Sequence, residues 1–195
     1  MTLKNTETAY GTVAKWLHWG VAVLFLAAYA SYYYRHWFTE SKTPENMTAL
    51  QIHLSVGISI FVLVLLRIIW RVMNAQPKPE PGTKLEHLAA HLGHYALYGV
   101  MIIMPITGYL GTGLGADFFF MFEIPKFEET WLFNFLVVEQ LGMTFKEFEK
   151  PMDFIHKDIF GAWLAWILIL GHFLAALYHH YVKQDNTLIK MTTGK

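Results

Sequence analysis

Hydrophobic and polar positions along the chain fall into four long apolar stretches, at about residues 13–34, 48–73, 85–110 and 153–182, separated by polar connections. Each reaches the ~20 residues that a helix needs to cross a bilayer. The first contains WLHWGVAVLFLAAYASYYY, with aromatic residues gathered at both ends as interfacial belts require. A cleaved secretory signal is the rival reading of that stretch, because Ala28, Tyr29 and Ala30 have the small-x-small look of a cleavage site. His18, Trp16 and Trp19 are poor company for a cleaved segment, so the stretch is read as a span. The pattern predicts an all-α transmembrane four-helix bundle, one membrane domain over residues 1–195.

The connections differ in kind. QPKPEPG, residues 76–82, breaks the helix between the second and third spans. Residues 111–152 predict a long loop, glycine-rich at first and then rich in phenylalanine and acid, in which FNFLVVEQLGMTFKEFEK carries a short amphipathic helix lying on the membrane surface. Asp153 is read as the N-cap of the last span.

Composition narrows the chemistry. The chain has 195 residues, 54% hydrophobic, with zero formal net charge, ten histidines and no cysteine. Disulfides, thiolate-ligated haem, covalently attached c-type haem and cysteine-held iron–sulfur clusters are therefore excluded. Four spans put both termini on one side. The N-terminal tail, the 67–87 connection and the C-terminal tail hold nine lysines and arginines against four acids, while the other two loops hold six against eleven. The positive-inside rule puts both termini in the cytoplasm and the acidic loop outside it.

Histidines at lipid depth must find partners, since a buried imidazole is costly unless its nitrogens are bonded. The first span enters from the cytoplasm with His18 about two turns in, and the second returns with His53 near the outer face. On the last span His156 lies near the outer face and His172 about 24 Å further along, at ~1.5 Å per residue. Depth pairs His18 with His172 and His53 with His156. Two bis-histidine sites stacked across a bilayer suit haem iron engaged in electron transfer, because two axial histidines leave no open position. His179 is too far from His156 for both to be buried, and with His180 it is read as facing headgroups. His87, His91 and His94 align on one helix face; a three-histidine metal site is the lesser reading there, below a role lining a quinone pocket or contacting haem propionates. Arg67 and Arg71 are read as cytoplasmic anchors and as propionate partners.

KWLHW around His18, IHLSVGISI around His53, RIIWR at Arg67 and Arg71, AHLGHYALY followed by MPITGYL, and GHFLAALYHHYVKQDNTLIKM together resemble the bacterial cytochrome b561 family over nearly the whole chain. More distantly they are similar to the di-haem cytochrome b subunits of nickel–iron hydrogenases and formate dehydrogenases. The resemblance implies a four-helix bundle in the bacterial inner membrane holding two b-type haems on His18, His172, His53 and His156, and exchanging electrons with ubiquinone or menaquinone. In that family the two ligands on the last span are fourteen residues apart. Here they are sixteen apart, which sets them about 160° around an ideal helix. Aiming both rings inward then requires π-type bulges or an irregular first turn near Gly161.

The resemblance implies oxidation of superoxide outside the membrane, with the electrons passed to ubiquinone, as a specific activity. Acidic outer loops work against an anionic substrate, although Lys126, Lys146, Lys150 and Lys157 supply local positive charge. Two other functions compete: a membrane-anchor subunit relaying electrons from a docked dehydrogenase or hydrogenase, and a haem-free metal transporter. Nothing points to nucleic acid.

Overall fold

The computed structural model describes residues 2–194 and contains four helices long and apolar enough to cross a membrane. α1 spans Thr12–Phe38, α2 Pro44–Met73 and α3 Lys84–Gly111, and a fourth long helix covers Phe145–Lys183. Their ends follow local chemistry. Thr43 caps α2 by accepting from the Asn46 amide, with Pro44 pre-set for the first turn. Thr83 and Glu86 form a reciprocal capping box at the start of α3.

The fourth helix corrects the sequence reading. It starts at Phe145, not near Asp153, because Thr144 and Glu147 form a second capping box. Asp153 lies inside the helix and pairs with Lys157 at 2.6 Å. Pro151, which suggests a helix start, sits within it and removes one backbone donor. Just beyond, Phe154–Leu164 is π-helical, and α-geometry resumes over Ala165–Tyr178. The expected surface helix is also divided. A helical turn at Trp131–Phe133 runs into a π-helical Asn134–Gln140, and the TFKEFEK part belongs to the fourth helix.

Residues 112–144 are more structured than a loop. They carry an antiparallel hairpin of β1, Ala116–Phe118, and β2, Phe122–Ile124, followed by a small aromatic core of Phe127, Phe133 and Val137 against Tyr109 and Phe148.

The main core joins all four helices. Val21, Phe25 and Tyr29 on α1 and Val56, Ile60 and Val64 on α2 recur every four residues and meet Val100 and Met101 on α3 and Phe160 and Ala165 on the fourth helix. Tyr29 also donates from its hydroxyl to the Gly161 carbonyl at 3.1 Å, tying α1 to the π-helical stretch. Tyr29→Phe is expected to lower stability by about 0.5–1.5 kcal/mol, read as a fall in the thermal midpoint in detergent.

Both terminal segments lie at the end of the bundle that holds the connection between α2 and α3. Lys190 pairs with Glu80 at 2.6 Å, Lys78 with Glu7 at 2.6 Å, and the Trp19 indole donates to the Met191 carbonyl at 3.1 Å. This is the terminal end of the bundle, and the opposite one is the loop end. His179, expected to face headgroups, instead bonds through Nδ1 to Asp185 at 2.5 Å. Burial pushes the Asp185 carboxyl up, but hydrogen bonds from His179 and Thr187 outweigh it and hold the group below its ordinary value. A depressed carboxyl stabilises the fold above its unfolded pKa of ~3.9, and that contribution is lost as pH falls through the lower folded value. Asp185→Asn should therefore flatten the acid side of a stability-against-pH curve measured between pH ~2 and ~7 and lower the plateau at neutral pH.

Candidate functional site

Four histidines from three helices face one another in two pairs. At the terminal end the His18 and His172 rings have centroids 6.1 Å apart. At the loop end His53 and His156 are 6.2 Å apart. The hydrophobic core lies between the two levels, so the pairs are separate sites at different depths.

These separations can be compared with what a metal needs. An imidazole nitrogen binds a first-row metal at ~2.0–2.1 Å, so two rings on opposite sides of one ion have centres roughly 6 Å apart. Both pairs meet that spacing. Among the described residues no three histidine or carboxylate side chains gather tightly enough to hold an ion by themselves. Paired ligands of this kind fit a metal whose remaining positions come from a macrocycle, as in bis-histidine haem.

Hydrogen bonding sets the tautomers at the loop end. His53 Nδ1 lies 3.0 Å from the Ala28 carbonyl, and His156 Nδ1 lies 2.8 Å from the Met104 carbonyl. A carbonyl only accepts, so each Nδ1 carries the proton and each Nε2 keeps its lone pair free for a ligand. Outer bonds of this type orient metal-binding imidazoles. Ser31 adds a second oxygen, its Oγ 3.3 Å from His53 Nδ1 and 2.8 Å from the Ala28 carbonyl to which it donates. At the terminal end His18 Nδ1 is buried without a hydrogen-bond partner among the described residues. Such an orphaned group in a packed interior marks a place where a further partner is owed.

The π-helical stretch accounts for the sixteen-residue spacing of His156 and His172. A helix bonded i to i+5 turns each residue by roughly 80–85°, against ~100° in an α-helix. It occupies the interval from His156 to Leu164, half of the way to His172, and unwinds most of the ~160° that would otherwise separate the rings. Two glycines make the geometry fit. A Cβ on Gly161 would lie 2.9 Å from the His156 carbonyl, five residues back, and a Cβ on Gly108 would lie 2.8 Å from Cε1 of the His156 ring. Only a residue without a side chain admits these approaches.

The remaining candidates divide. The His94 ring sits 5.6 Å from His172, beside the terminal-end pair. His91 is exposed, and its Nδ1 bonds the His87 carbonyl one turn back. The three-histidine face on α3 therefore does not assemble as a metal site. The Arg67 guanidinium lies over the Tyr98 ring at 5.4 Å, a cation–π contact between α2 and α3, whereas Arg71 is exposed. Sequence reasoning passed over Ala28, Met104 and Ser31, whose contributions are two backbone carbonyls and one hydroxyl, and the His179–Asp185 pair. The two glycines were visible as residues, and only the packing shows what they make room for.

Comparison with known proteins agrees with this architecture. A family model described as Prokaryotic cytochrome b561 matches residues 9–194. The chain is 29% identical to Cytochrome b561 homolog 2 of Escherichia coli (strain K12), in an alignment covering 98% of this chain and 95% of that protein. It is 31% identical to Probable superoxide oxidase CybB of Yersinia pestis, covering 92% and 93%. It is 29% identical to Cytochrome b561 homolog 1 of E. coli (strain K12), covering 90% and 92%. A match from residue 9 to residue 194 takes in all four long helices, and the chain belongs to the prokaryotic cytochrome b561 family of membrane haem proteins.

Proposed function

We propose that this protein is a di-haem b-type cytochrome that moves electrons across the bacterial inner membrane to or from quinone, and that its reaction is the oxidation of superoxide with reduction of ubiquinone. The observation that carries the reading is the pair of opposed histidine sites at two depths, with ring centroids 6.1 Å and 6.2 Å apart. The name of the Yersinia pestis relative supports the choice of superoxide.

His18 and His172 would hold one haem and His53 and His156 the other, the latter two through Nε2. Bound haem supplies one-electron redox chemistry at a potential tuned by its axial ligands and burial. The protein's own groups do the rest. The carbonyls of Ala28 and Met104 keep the Nδ1 protons of His53 and His156 in place, so those rings neither rotate nor change tautomer. The residues of the main core keep water out between the two levels. Arg67, held over Tyr98, places a fixed cation near the terminal-end pair, where it would meet a haem propionate, and His94 beside His172 offers a second polar contact. The single domain covers residues 1–195, with both termini cytoplasmic and the acidic loop end outside. In the overall reaction two superoxide anions each lose one electron and become oxygen, and one quinone takes up two electrons and two protons.

The purified protein in nanodiscs with ubiquinone is expected to form quinol when superoxide is generated enzymatically, and to stop when superoxide dismutase is added. Quinol formation that ignores the dismutase, or none at all, would overturn the superoxide assignment. If a dehydrogenase co-purifying after gentle solubilisation then reduces the haem, the protein is a relay subunit instead.

A further inference from the structure

The β1–β2 hairpin is not required by either histidine pair, and its tip is unusual. Residues 118–122 read FFFMF, and Phe119 and Phe120 both take positive φ, 46° and 60°. Bulky residues rarely adopt that region, where glycine or asparagine is the normal choice. Around this strained turn Phe120, Met121 and Phe122 are 57%, 69% and 55% exposed. In water such a tip would combine backbone strain with exposed apolar surface. Its surroundings indicate a different medium.

The hairpin is laid along α2 by side chains within the span. Gln51 donates through Nε2 to the Gly115 carbonyl at 3.1 Å and accepts through Oε1 from the Asp117 amide at 2.7 Å. One turn further along α2, the fully buried Ser55 accepts through Oγ from the Phe119 amide at 2.9 Å. β1 therefore runs in the same direction as α2, away from the loop end and toward the bilayer centre. Non-helical backbone is tolerated at membrane depth only where its polar groups are bonded within the protein, and Gln51 and Ser55 provide such bonds.

Depth follows from the other end of α2. Taking Arg71 as the charged boundary there, a hydrocarbon layer of ~30 Å ends about 20 residues back, near Gln51. Ser55 lies one turn, ~6 Å, below that edge, within the ~5–10 Å to which interfacial elements sink. The cross-strand partners Asp117 and Glu123 then stand close to the headgroups, and residues 119–122 among the upper acyl chains. We propose that the hairpin is a re-entrant wedge whose apolar tip inserts into the lipid of the leaflet at the loop end. The tip continues the lipid-facing surface of the helices and fixes the height of the loop end against the bilayer. The proposal does not depend on which electron donor the protein uses.

The absence of cysteine makes a direct test available. Phe120→Cys introduces a single thiol, which is spin-labelled, and the protein is placed in nanodiscs of dioleoyl phosphatidylcholine and phosphatidylglycerol. Collision with oxygen, which partitions into lipid, is compared with collision with a water-soluble nickel chelate. Val62→Cys on the exposed face of α2 and Lys146→Cys at the loop end are the lipid and water references. The oxygen-to-nickel ratio at Phe120→Cys is expected to match Val62→Cys and to exceed Lys146→Cys several-fold. Met121→Cys serves as a second tip position if Phe120→Cys does not keep the wild-type circular dichroism. A nickel-dominated label would put the tip in water, and a label shielded from both reagents would put it under protein. Either result overturns the proposal.

Discussion

Replacing His172 with alanine is expected to take the haem content from two per chain to one, with the survivor keeping a low-spin spectrum. His172 would supply one of the two nitrogens that hold the terminal-end haem, opposite His18 at 6.1 Å between ring centroids. The neighbouring His94, 5.6 Å from His172, projects from α3 and is anchored to that helix by the bond from its Nδ1 to the Ala90 carbonyl at 2.7 Å. Loss of an outer partner alone commonly weakens a metal site by 10–100-fold, so loss of a ligand is expected to weaken it by more than ~100-fold. The loop-end pair lies beyond the core of Val21, Phe25, Val56 and Ile60 and is expected to be untouched. Pyridine haemochrome analysis gives the stoichiometry, and the reduced-minus-oxidised spectrum identifies which site remains. His156→Ala should produce the complementary spectrum. If either variant kept two low-spin haems, or lost both, the pairing of ligands by depth would be wrong.

How much of this could be read before the fold was known varies by the kind of signal involved. The four spans follow from hydropathy and the histidine pairs from depth, because a membrane makes position along a helix equivalent to height. The sixteen-residue spacing calls for π-type bulges or an irregular first turn, since an ideal helix would point His156 and His172 in different directions, and the fold takes the π-helical course. What stayed hidden has no residue-type signature. The Ala28 and Met104 carbonyls that fix His53 and His156 are backbone groups, available from any residue. The turn of the hairpin lacks the glycine or asparagine that marks positive φ, so FFFMF reads as loop. The early start of the fourth helix was legible in Thr144 and Glu147, but Pro151 and Asp153 offered a competing start nearer the apolar run.

Gly108→Val is expected to remove the loop-end haem while leaving the terminal-end haem in place, although residue 108 would ligate nothing. Gly108 lies on α3 one turn beyond Met104, whose carbonyl holds the His156 ring. Even a methyl group there would stand 2.8 Å from Cε1 and 3.0 Å from Nδ1 of that ring, and real Cβ atoms do not approach so closely. The ring has two responses, to swing off its rotamer or to push α3 away. With the two γ-methyl groups of valine added to that Cβ, either breaks the bond to Met104 and turns Nε2 from its partner across the pair, 6.2 Å away centre to centre. Overpacking of this kind typically destabilises a fold by about 1–3 kcal/mol, which a four-helix membrane bundle survives. Gly108→Ala, with two fewer methyl groups, should give an intermediate result, retaining both haems but shifting the midpoint potential of one. Redox titration followed optically separates these outcomes, since wild type is expected to show two waves, the alanine variant two with one displaced, and the valine variant one. Two unchanged waves in Gly108→Val would mean that His156 is not held against α3 when haem is bound, and that the loop-end site takes its shape from the fourth helix alone.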